Sequence, residues 1–319
     1  MTPLENRPSR AGKGIVMVAV RDAQDMGPLL RIGCSLARAH DAEVRVVTVT
    51  TSGSPPSWLS IPEICEDLPV ETIVREGRDV ARIILEEVQK TEVHTLILGW
   101  GGEVSRGRYR LGRTLDPVIQ GAPSEVLLVR SKGLEDLDRL LIPLAGGPNA
   151  PRALGLARAI APDAEITALY VAAERLGDAE ILVGEERLET ILAGLEESTG
   201  IEPRVVQASD PVAGILQEAK EGYDLILLGA GGEDFIDRFL FGDVVQGVLA
   251  GTTAPTAVVR RSLSSLGTLQ RRIWMRIFRS GPTLTTQQQA TVYKNIRRGA
   301  RPSTDFWVMI ALASAIAAL

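Results

Sequence analysis

The chain alternates short, continuous apolar runs with longer segments in which apolar residues recur every three to four positions. Runs rich in β-branched residues, such as IVMVAV at 15–20, are typical of strands that are buried on both faces of a sheet. Segments such as DVARIILEEVQK at 79–90 have the spacing of amphipathic helices. The alternation predicts parallel strands joined by right-handed crossovers, which is an α/β fold built on open, doubly wound, mostly parallel sheets. Ligands of such sheets bind beyond the carboxyl ends of the strands.

The same series of elements occurs twice along the chain. Residues 94–130 and 224–260 align without a gap, which indicates an internal duplication. We therefore expect two tandem domains, at residues 14–131 and 138–261, each with its own sheet. Three glycines coincide in the alignment: Gly99, Gly102 and Gly112 in the first copy, and Gly229, Gly232 and Gly242 in the second.

Each set of glycines has the spacing Gly-x2-Gly-x9-Gly, directly after a predicted strand and before a predicted helix. Glycine permits a sharp turn at the strand end and leaves room for a phosphate to approach backbone N–H groups. The third glycine opens the next helix, whose free N–H groups and dipole favour an anion. A strand–helix junction also needs glycine for geometry alone, so the spacing by itself leaves a purely structural role open.

This spacing resembles that of the universal stress protein family, whose ATP-binding members carry Gly-x2-Gly-x9-Gly followed by serine or threonine. The strand entry DLILLG at 224–229 and the closing APTAVV at 254–259 also resemble the family. The resemblance implies an adenine-nucleotide alpha-hydrolase-like fold, with ATP as the ligand and Mg²⁺ as its counter-ion. Together with the charge of Arg113, it leads us to expect nucleotide contacts in the first domain at Asp22, Val49, Gly99, Gly102, Gly112, Arg113 and Thr114. Asp22 stands one place off the position at which binding members carry an acid.

Both copies depart from the family pattern directly after the third glycine, where the family has a hydroxyl. Arg113 stands there in the first copy and can bind phosphate through a charge-assisted hydrogen bond. Asp243 stands there in the second copy, where its carboxylate would repel a phosphate. We therefore expect a degenerate second site, at Val171, Gly229, Gly232, Gly242, Asp243 and Val244.

The nine-residue spacers between the second and third glycines carry opposite charges. The first contains Arg106, Arg108 and Arg110, and the second contains Glu233, Asp234 and Asp237. Members of the family commonly dimerise through their last strand. The resemblance therefore implies that the last strands of the two domains pair within this chain, with the oppositely charged loops close together. The alternative interpretation is thus a nucleotide-free dimerisation scaffold, and a homodimer of whole chains also stays open.

Composition bears on the kinds of chemistry that the chain can carry out. Hydrophobic residues make up 45% and charged residues 24% of the chain, as in globular proteins. The two histidines, His40 and His94, argue against a histidine metal site or a Ser-His triad. No P-loop lysine and no general base with a positioned partner is recognisable, so we expect at most slow ATP hydrolysis. Cys34 and Cys65 are far apart and form no motif, so we expect neither a disulfide nor a metal site, as in a reducing compartment.

The net charge of −5 is unevenly distributed, with −14 on residues 1–259 and +9 on residues 260–319. An acidic body repels nucleic acid, so we do not expect nucleic acid as a partner. Residues 262–282 predict a basic linker and an amphipathic helix, because QRRIWMRIFRS at 270–280 is typical of membrane-surface elements. A helix docked on the preceding domains is the alternative.

Residues 283–319 predict a helical tail that ends in an uncharged apolar run, Phe306 to Leu319. The run is shorter than the roughly 20 residues that span a bilayer, but aromatic residues at its start and arginines before it are typical of a membrane interface. ARPSTDFW at 300–307 resembles the first transmembrane entry of a family of uncharacterised bacterial polytopic membrane proteins. The resemblance implies a partial transmembrane segment in a chain that is cut short; a hydrophobic C-terminal anchor or a buried helix is the alternative. The whole chain is then expected to be a nucleotide-sensing regulatory module on the cytoplasmic face of the cell membrane.

Overall fold

A computed structural model describes residues 14–101, 104–105, 108–109, 111–145, 150–195, 199–229 and 243–260. These residues belong to the first of two compact units, Met1–Ser262 and Leu263–Leu319. The second unit, and with it the predicted amphipathic helix and tail, lies outside the described residues. Within the described part of the chain, no helix is both long and apolar enough to cross a membrane.

The first half of the fold runs from β1 to β7. Its elements in chain order are β1 (Ile15–Ala19), α1 (Ala23–Ala39), β2 (Glu43–Thr50), a 3-10 turn (Glu63–Cys65), β3 (Val70–Glu76), α2 (Val80–Lys90), β4 (Val93–Gly99), β5 (Val104–Ser105), β6 (Arg108–Tyr109), α3 (Gly112–Gly121) and β7 (Glu125–Arg130). Aspartates begin two of these helices by accepting hydrogen bonds from first-turn N–H groups. Asp22 caps α1 and Asp79 caps α2 in this way.

The second half repeats this series from β8 to β12. Its elements are β8 (Arg139–Pro143), α4 (Ala150–Ile160), β9 (Glu165–Ala173), a 3-10 turn (Glu174–Leu176), α5 (Asp178–Ala193), β10 (Ile201–Ala208), α6 (Pro211–Glu218), a 3-10 turn (Ala219–Glu221), β11 (Leu225–Gly229), α7 (Asp243–Gly251) and β12 (Thr256–Arg260). Asp210 caps α6 by accepting from the N–H of Ala213 at 3.0 Å, as Asp79 does at the matching helix of the first half.

The long strands form one ten-stranded sheet in the order β10-β9-β8-β11-β12-β7-β4-β1-β2-β3. In each half the strands stand in the order third, second, first, fourth, fifth, and all neighbours within a half are parallel. The predicted α/β fold with doubly wound, parallel strands in each half is thus confirmed. The antiparallel pairing of β7 with β12 joins the two halves, so they share one sheet and the expectation of a separate sheet in each domain was wrong.

Helices cover both faces of the sheet, and each face has one hydrophobic core. The core under α1 and α4 includes Leu127 of β7 and Leu140 of β8. The core under α2, α3, α6 and α7 includes Leu128 of β7 and Val258 of β12. Each core therefore contains residues of both halves and extends across the joint between them.

Two buried arginines reach across the joint between the halves. Arg130, at the end of β7, donates a hydrogen bond to the carbonyl oxygen of Leu249 near the end of α7, at 3.1 Å. Arg260, at the end of β12, donates to the carbonyl oxygen of Ala122 just past α3, at 2.8 Å. A cation at the C-terminal end of a helix satisfies free carbonyls and complements the helix dipole. The last strands thus pair as the family resemblance implies. In addition, an arginine of each half caps the C-terminal end of a helix in the other half.

Cys34 and Cys65 form a disulfide, so the expectation of unpaired cysteines was wrong. The two residues are 31 positions apart in sequence, yet their Cα atoms are 5.8 Å apart. The chain between β2 and β3 folds back over α1 and places Cys65 against it, a contact that sequence spacing does not reveal. Both cysteines are buried. An ion pair between Arg38 of α1 and Asp67 lies close to the disulfide.

Candidate functional site

The candidate site of the first half lies where the strand order reverses, between β1 and β4. These strands are adjacent and parallel, with Ala19 beside Leu98, but the helices that follow them lie on opposite faces of the sheet. Doubly wound sheets bind ligands in the crevice between such strand ends. Ala19, Val49 and Gly99 are half-buried here, whereas the strand residues preceding each of them are buried. Val20 and Trp100, which directly follow β1 and β4, are buried again, so only part of each strand end reaches solvent.

Asp22 lies at the edge of this crevice, where its carboxylate begins α1. Its Oδ1 accepts hydrogen bonds from the N–H groups of Gln24 and Asp25, both at 3.2 Å. Its Oδ2 accepts from Nε of Arg21 at 3.1 Å. Asp22 thus has a structural role as a helix cap, and its half-buried carboxylate retains lone pairs for a further donor.

Asp25 is a residue of this crevice that the glycine motif gives no reason to expect. Its Oδ2 lies 2.9 Å from the place that a Cβ on Gly99 would occupy. Its Oδ1 accepts a hydrogen bond from Oγ of Ser131 at 2.6 Å. A side chain at Gly99 would therefore displace the Asp25 carboxylate, which stands beside this strand end. The available signal was the position of Asp25 in the first turn of the helix that follows β1.

We infer that the start of α3, which follows β4 on the other face of the sheet from α1, forms the opposite wall of the candidate site. The helix begins at Gly112 with a φ of 85°, a left-handed conformation that glycine adopts without strain. Gly112 is exposed, and no atom of the described residues lies within 4 Å of the place that a Cβ would occupy there. Arg113 is exposed and Thr114 is half-buried. First-turn N–H groups have no acceptor within their helix, so this turn offers backbone donors and a cation to an anion.

Several predicted residues lie outside the described residues: Gly102, Gly232, Gly242, and the side chains of Arg106, Arg108, Arg110, Glu233, Asp234 and Asp237. Within the first spacer, β5 and β6 pair as a short antiparallel hairpin, with Val104 opposite Tyr109. The predicted contact between oppositely charged loops thus stays a prediction.

The corresponding crevice of the second half lies between β8 and β11. Among the described residues, a Cβ on Gly229 would meet no atom within 4 Å, in contrast to the crowded Gly99. Val171 is half-buried, and both Asp243 and Val244 at the start of α7 are exposed. A carboxylate therefore stands at the helix start of the second half, where the first half has a cation.

The described part of the chain shows no cluster of side chains that could bind a metal ion. No group of three or more His, Cys, Asp or Glu side chains is placed there to hold a metal ion. His40 and His94 lie near the amino ends of the strands, away from the crevice, with ring centroids 5.4 Å apart. Burial and the charge of His94 lower the pKa of His40. These histidines take no part in the candidate site.

Comparison with known families decides what kind of protein this is. The model of the universal stress protein family matches residues 65–130 and 137–260. The chain belongs to the universal stress protein family. The match in the first half begins at Cys65, so it leaves out β1, α1, β2 and most of the chain between β2 and β3. No curated protein sequence matches the chain significantly.

Solved structures with both halves in one chain resemble this universal stress protein in fold. A protein of Pseudomonas aeruginosa UCBPP-PA14 described as a universal stress protein has a TM-score of 0.56 and 14% identity, covering 77% of this chain and 93% of its own. A universal stress protein of Archaeoglobus fulgidus DSM 4304 has a TM-score of 0.50 and 16% identity, covering 77% and 98%. The cytoplasmic domain of a prokaryotic cation chloride cotransporter has a TM-score of 0.53 and 13% identity, covering 81% and 99%. At these identities the likeness concerns the fold alone.

Proposed function

We propose that this chain is a tandem universal stress protein module that binds ATP in its first half and regulates a membrane-attached partner domain. The observation that carries nucleotide binding is the first turn of α3. There the exposed, left-handed Gly112 and the exposed Arg113 offer backbone donors and a positive charge. A phosphate chain matches this combination, because helix N-termini and arginine both bind phosphate oxygens well.

The two walls of the crevice differ in charge, and this difference orients the nucleotide. Asp22 and Asp25 stand on the β1 side, whereas Arg113 stands on the β4 side. The phosphates lie towards Arg113, since Asp25 occupies the space beside Gly99. Ribose hydroxyls, or a Mg²⁺ that also binds phosphate oxygens, suit the carboxylate wall. In this proposal the half-buried Val49 at the end of β2 contacts the adenine ring.

The second half serves as a structural partner in this proposal. Asp243 is exposed in the first turn of α7, where an acid complements the helix dipole. The same carboxylate repels phosphate, so we expect no ATP in the second crevice. No catalytic residue is assigned, and any hydrolysis of ATP is expected to be slow.

The membrane part of the proposal rests on residues 262–319. Their basic and apolar segments are typical of a membrane surface and of the beginning of a membrane span. The cytoplasmic domain of a cation chloride cotransporter has a similar fold, which is consistent with a regulatory module on the cytoplasmic face. Cell fractionation tests this part: the full-length chain should sediment with membranes, and a chain ending at residue 261 should not. Recovery of both in the soluble fraction would refute it.

Calorimetric titration of ATP into the full-length chain tests nucleotide binding, with one site per chain expected. Arg113→Ala should weaken binding about tenfold, because a charge-assisted hydrogen bond contributes roughly 1.5 kcal/mol. Arg175→Ala is the matched control, since Arg175 is an exposed arginine of the second half, and it should leave the affinity unchanged. Absence of binding to the unaltered chain would overturn the proposal.

A nucleotide-free scaffold is the second candidate, and the joint between the halves favours it. Besides Arg130 and Arg260, Arg152 of α4 pairs across the joint with the buried Glu125 of β7, at 2.9 Å. These contacts hold the halves together without a ligand. The scaffold predicts no ATP binding but full dependence of the membrane partner's assembly on an intact joint, so Arg130→Met would impair assembly.

A further inference from the structure

Residues 51–69, which connect β2 to β3, are called the first crossover. We propose that the Cys34–Cys65 disulfide attaches the first crossover to α1 in a way that depends on the redox state. In the oxidised protein the disulfide holds the first crossover against α1. Reduction by a dithiol releases the crossover while the sheet stays folded. This inference does not depend on nucleotide binding.

The first crossover has little structure of its own. Its one helical element is the 3-10 turn Glu63–Cys65, and most of its side chains are exposed. Trp58 and Leu59 are partly buried against the core, as are Ile64 and Leu68. Long connections without secondary structure are uncommon in compact domains, and segments with few buried contacts open locally. The crossover therefore needs an attachment to α1.

The polar contacts at this place are too exposed to replace the disulfide. Arg38 of α1 pairs with Asp67 and donates a hydrogen bond to the carbonyl oxygen of Ile64. The side chain of Asp67 is 60% exposed, and exposed ion pairs contribute little to stability. The covalent bond between the buried Cys34 and Cys65 is thus the strongest connection between the crossover and α1 among the described contacts.

The second half has no disulfide in its matching connection, so covalent attachment of the connection occurs in the first half alone. Its matching connection, between β9 and β10, contains the 16-residue helix α5, which buries Leu188 and packs Ile181 and Ile191 against the core. The chain's two cysteines both lie in the first half. A redox-sensitive connection therefore occurs only in the half whose crevice carries Arg113.

The first crossover also borders that crevice. It begins directly after Thr50, the last residue of β2, whose Oγ1 donates a hydrogen bond to the carbonyl oxygen of Ser54 at 3.4 Å. The carbonyl oxygen of Thr50 accepts from the N–H of Gly77 at 3.0 Å. Release of the crossover consequently loosens the rim of the strand ends beside Val49.

The reaction is a thiol–disulfide exchange in which all atoms and electrons are accounted for. A thiolate of the dithiol attacks Sγ of Cys65 when the crossover opens, forms a mixed disulfide and expels the Cys34 thiolate. The second thiol of the reductant then attacks the mixed disulfide and expels the Cys65 thiolate. The protein gains two electrons and two protons, and the dithiol becomes a disulfide. On the proposed cytoplasmic side, protein disulfides are usually transient and redox-sensing.

Limited proteolysis of the full-length chain, oxidised and after treatment with dithiothreitol, tests the proposal. Chymotrypsin can cut the first crossover after Trp58, whereas trypsin cannot cut within it because residues 51–69 contain no Lys or Arg. Mass spectrometry identifies each cut. Reduction should accelerate cleavage after Trp58 about tenfold and change cleavage in the second half by less than about twofold. Iodoacetamide should label both cysteines in the reduced protein and neither in the oxidised protein.

Variants separate local release from general unfolding. Cys65→Ser should be cut after Trp58 at the rate of the reduced protein and should not respond to dithiothreitol. Cys34→Ser should behave in the same way, and the reduced wild-type protein provides the same comparison without any substitution. Unchanged cleavage after Trp58 on reduction, equal acceleration along the whole chain, or two free thiols after mild oxidation would each overturn the proposal.

Discussion

The two halves of this universal stress protein connect their second and third strands in different ways. The second half uses α5, whose Gly184 and Leu188 are buried. The first half uses an irregular chain that contains one 3-10 turn and is bound to α1 by a disulfide. Because the strands on either side have the same order and direction in both halves, the sheet does not require a helix at this place. It requires only that the connection be held on the face of α1 or α4, by packing or by a covalent bond.

Other contacts are the same in both halves, which shows which parts of the repeat are less free to change. In the first half the buried Glu87 of α2 accepts a hydrogen bond from Arg75 of β3, at 2.9 Å. In the second half the buried Glu218 of α6 accepts one from Arg204 of β10, at 2.5 Å. Each pair fixes an outer strand to the helix that follows it. The variable connection thus lies between features that both copies retain.

Loss of the disulfide should give the largest change in this comparison. Cys34→Ser removes a cross-link that closes a loop of 31 residues, which should lower the free energy of unfolding by roughly 3–4 kcal/mol, since the unfolded chain regains conformational entropy. Urea unfolding followed by circular dichroism measures the change. The wild-type protein in excess dithiothreitol should give the same value as the variant; a clearly more stable reduced wild type would contradict the role given to the disulfide.

A larger side chain at Gly184 of α5 should have the next largest effect on the stability of the protein. A Cβ on Gly184 would lie 2.4 Å from Cδ1 of Tyr170, and the hydroxyl of Tyr170 is held by Glu180 at 2.8 Å. Gly184→Ala should therefore destabilise the protein by about 2 kcal/mol, as overpacked cores do.

A glycine of α4 provides the matched control for this substitution. A Cβ on the exposed Gly155 would meet no atom of the described residues within 4 Å, so Gly155→Ala should stabilise the protein by about 0.5–1 kcal/mol through helix propensity. The two substitutions are compared by thermal unfolding. Equal effects would show that α5 does not depend on close contact with β9.

The buried pair that both halves share should give a smaller, pH-dependent effect. Burial raises the pKa of Glu87, but hydrogen bonds from Arg75 and Lys90 outweigh burial and hold its pKa below the ordinary value of 4.5. The unfolded chain then binds the proton more tightly, so the stability contributed by ionised Glu87 is fully present above that ordinary value. It is lost as the pH falls through the lower pKa of the folded state.

Glu87→Gln should accordingly cost about 1–2 kcal/mol at pH 7, and the difference from wild type should shrink as the pH falls below 4.5. Urea unfolding at several pH values measures it. Glu86→Gln is the control, because Glu86 is an exposed neighbour on the same helix, and it should change stability by less than about 0.5 kcal/mol at any pH. A difference for Glu87 that grows towards acid would reverse the assigned sign.

The strands and the duplication were predictable because their signals are local. IVMVAV and the VLLV within EVLLVR are continuous apolar runs. Such runs are typical of parallel strands that are buried on both faces of a sheet. The joint between the halves was also predictable from the sequence, since Arg130 and Arg260 occupy the same place in the ungapped alignment. Family resemblance then implied that these last strands pair with each other.

The disulfide and the crowded crevice were not predictable in this way, because both depend on contacts between distant segments. Nothing near Cys65 in sequence indicates that its chain returns to α1. Likewise, the hydrogen bond between Asp25 and Ser131 joins residues 106 positions apart. Local patterns fix which segments become strands and helices, but the path of an irregular connection follows from packing over the whole fold.

The antiparallel seam between β7 and β12 sends the carboxyl ends of the two halves' strands to opposite borders of the sheet. In an assembly of two identical subunits, every substitution in one cleft would appear in the other as well. Here a single gene encodes both clefts separately, so Arg113 and Asp243 can occupy equivalent positions in one molecule. The covalent link thereby fixes a one-to-one ratio of two unlike crevices within each chain.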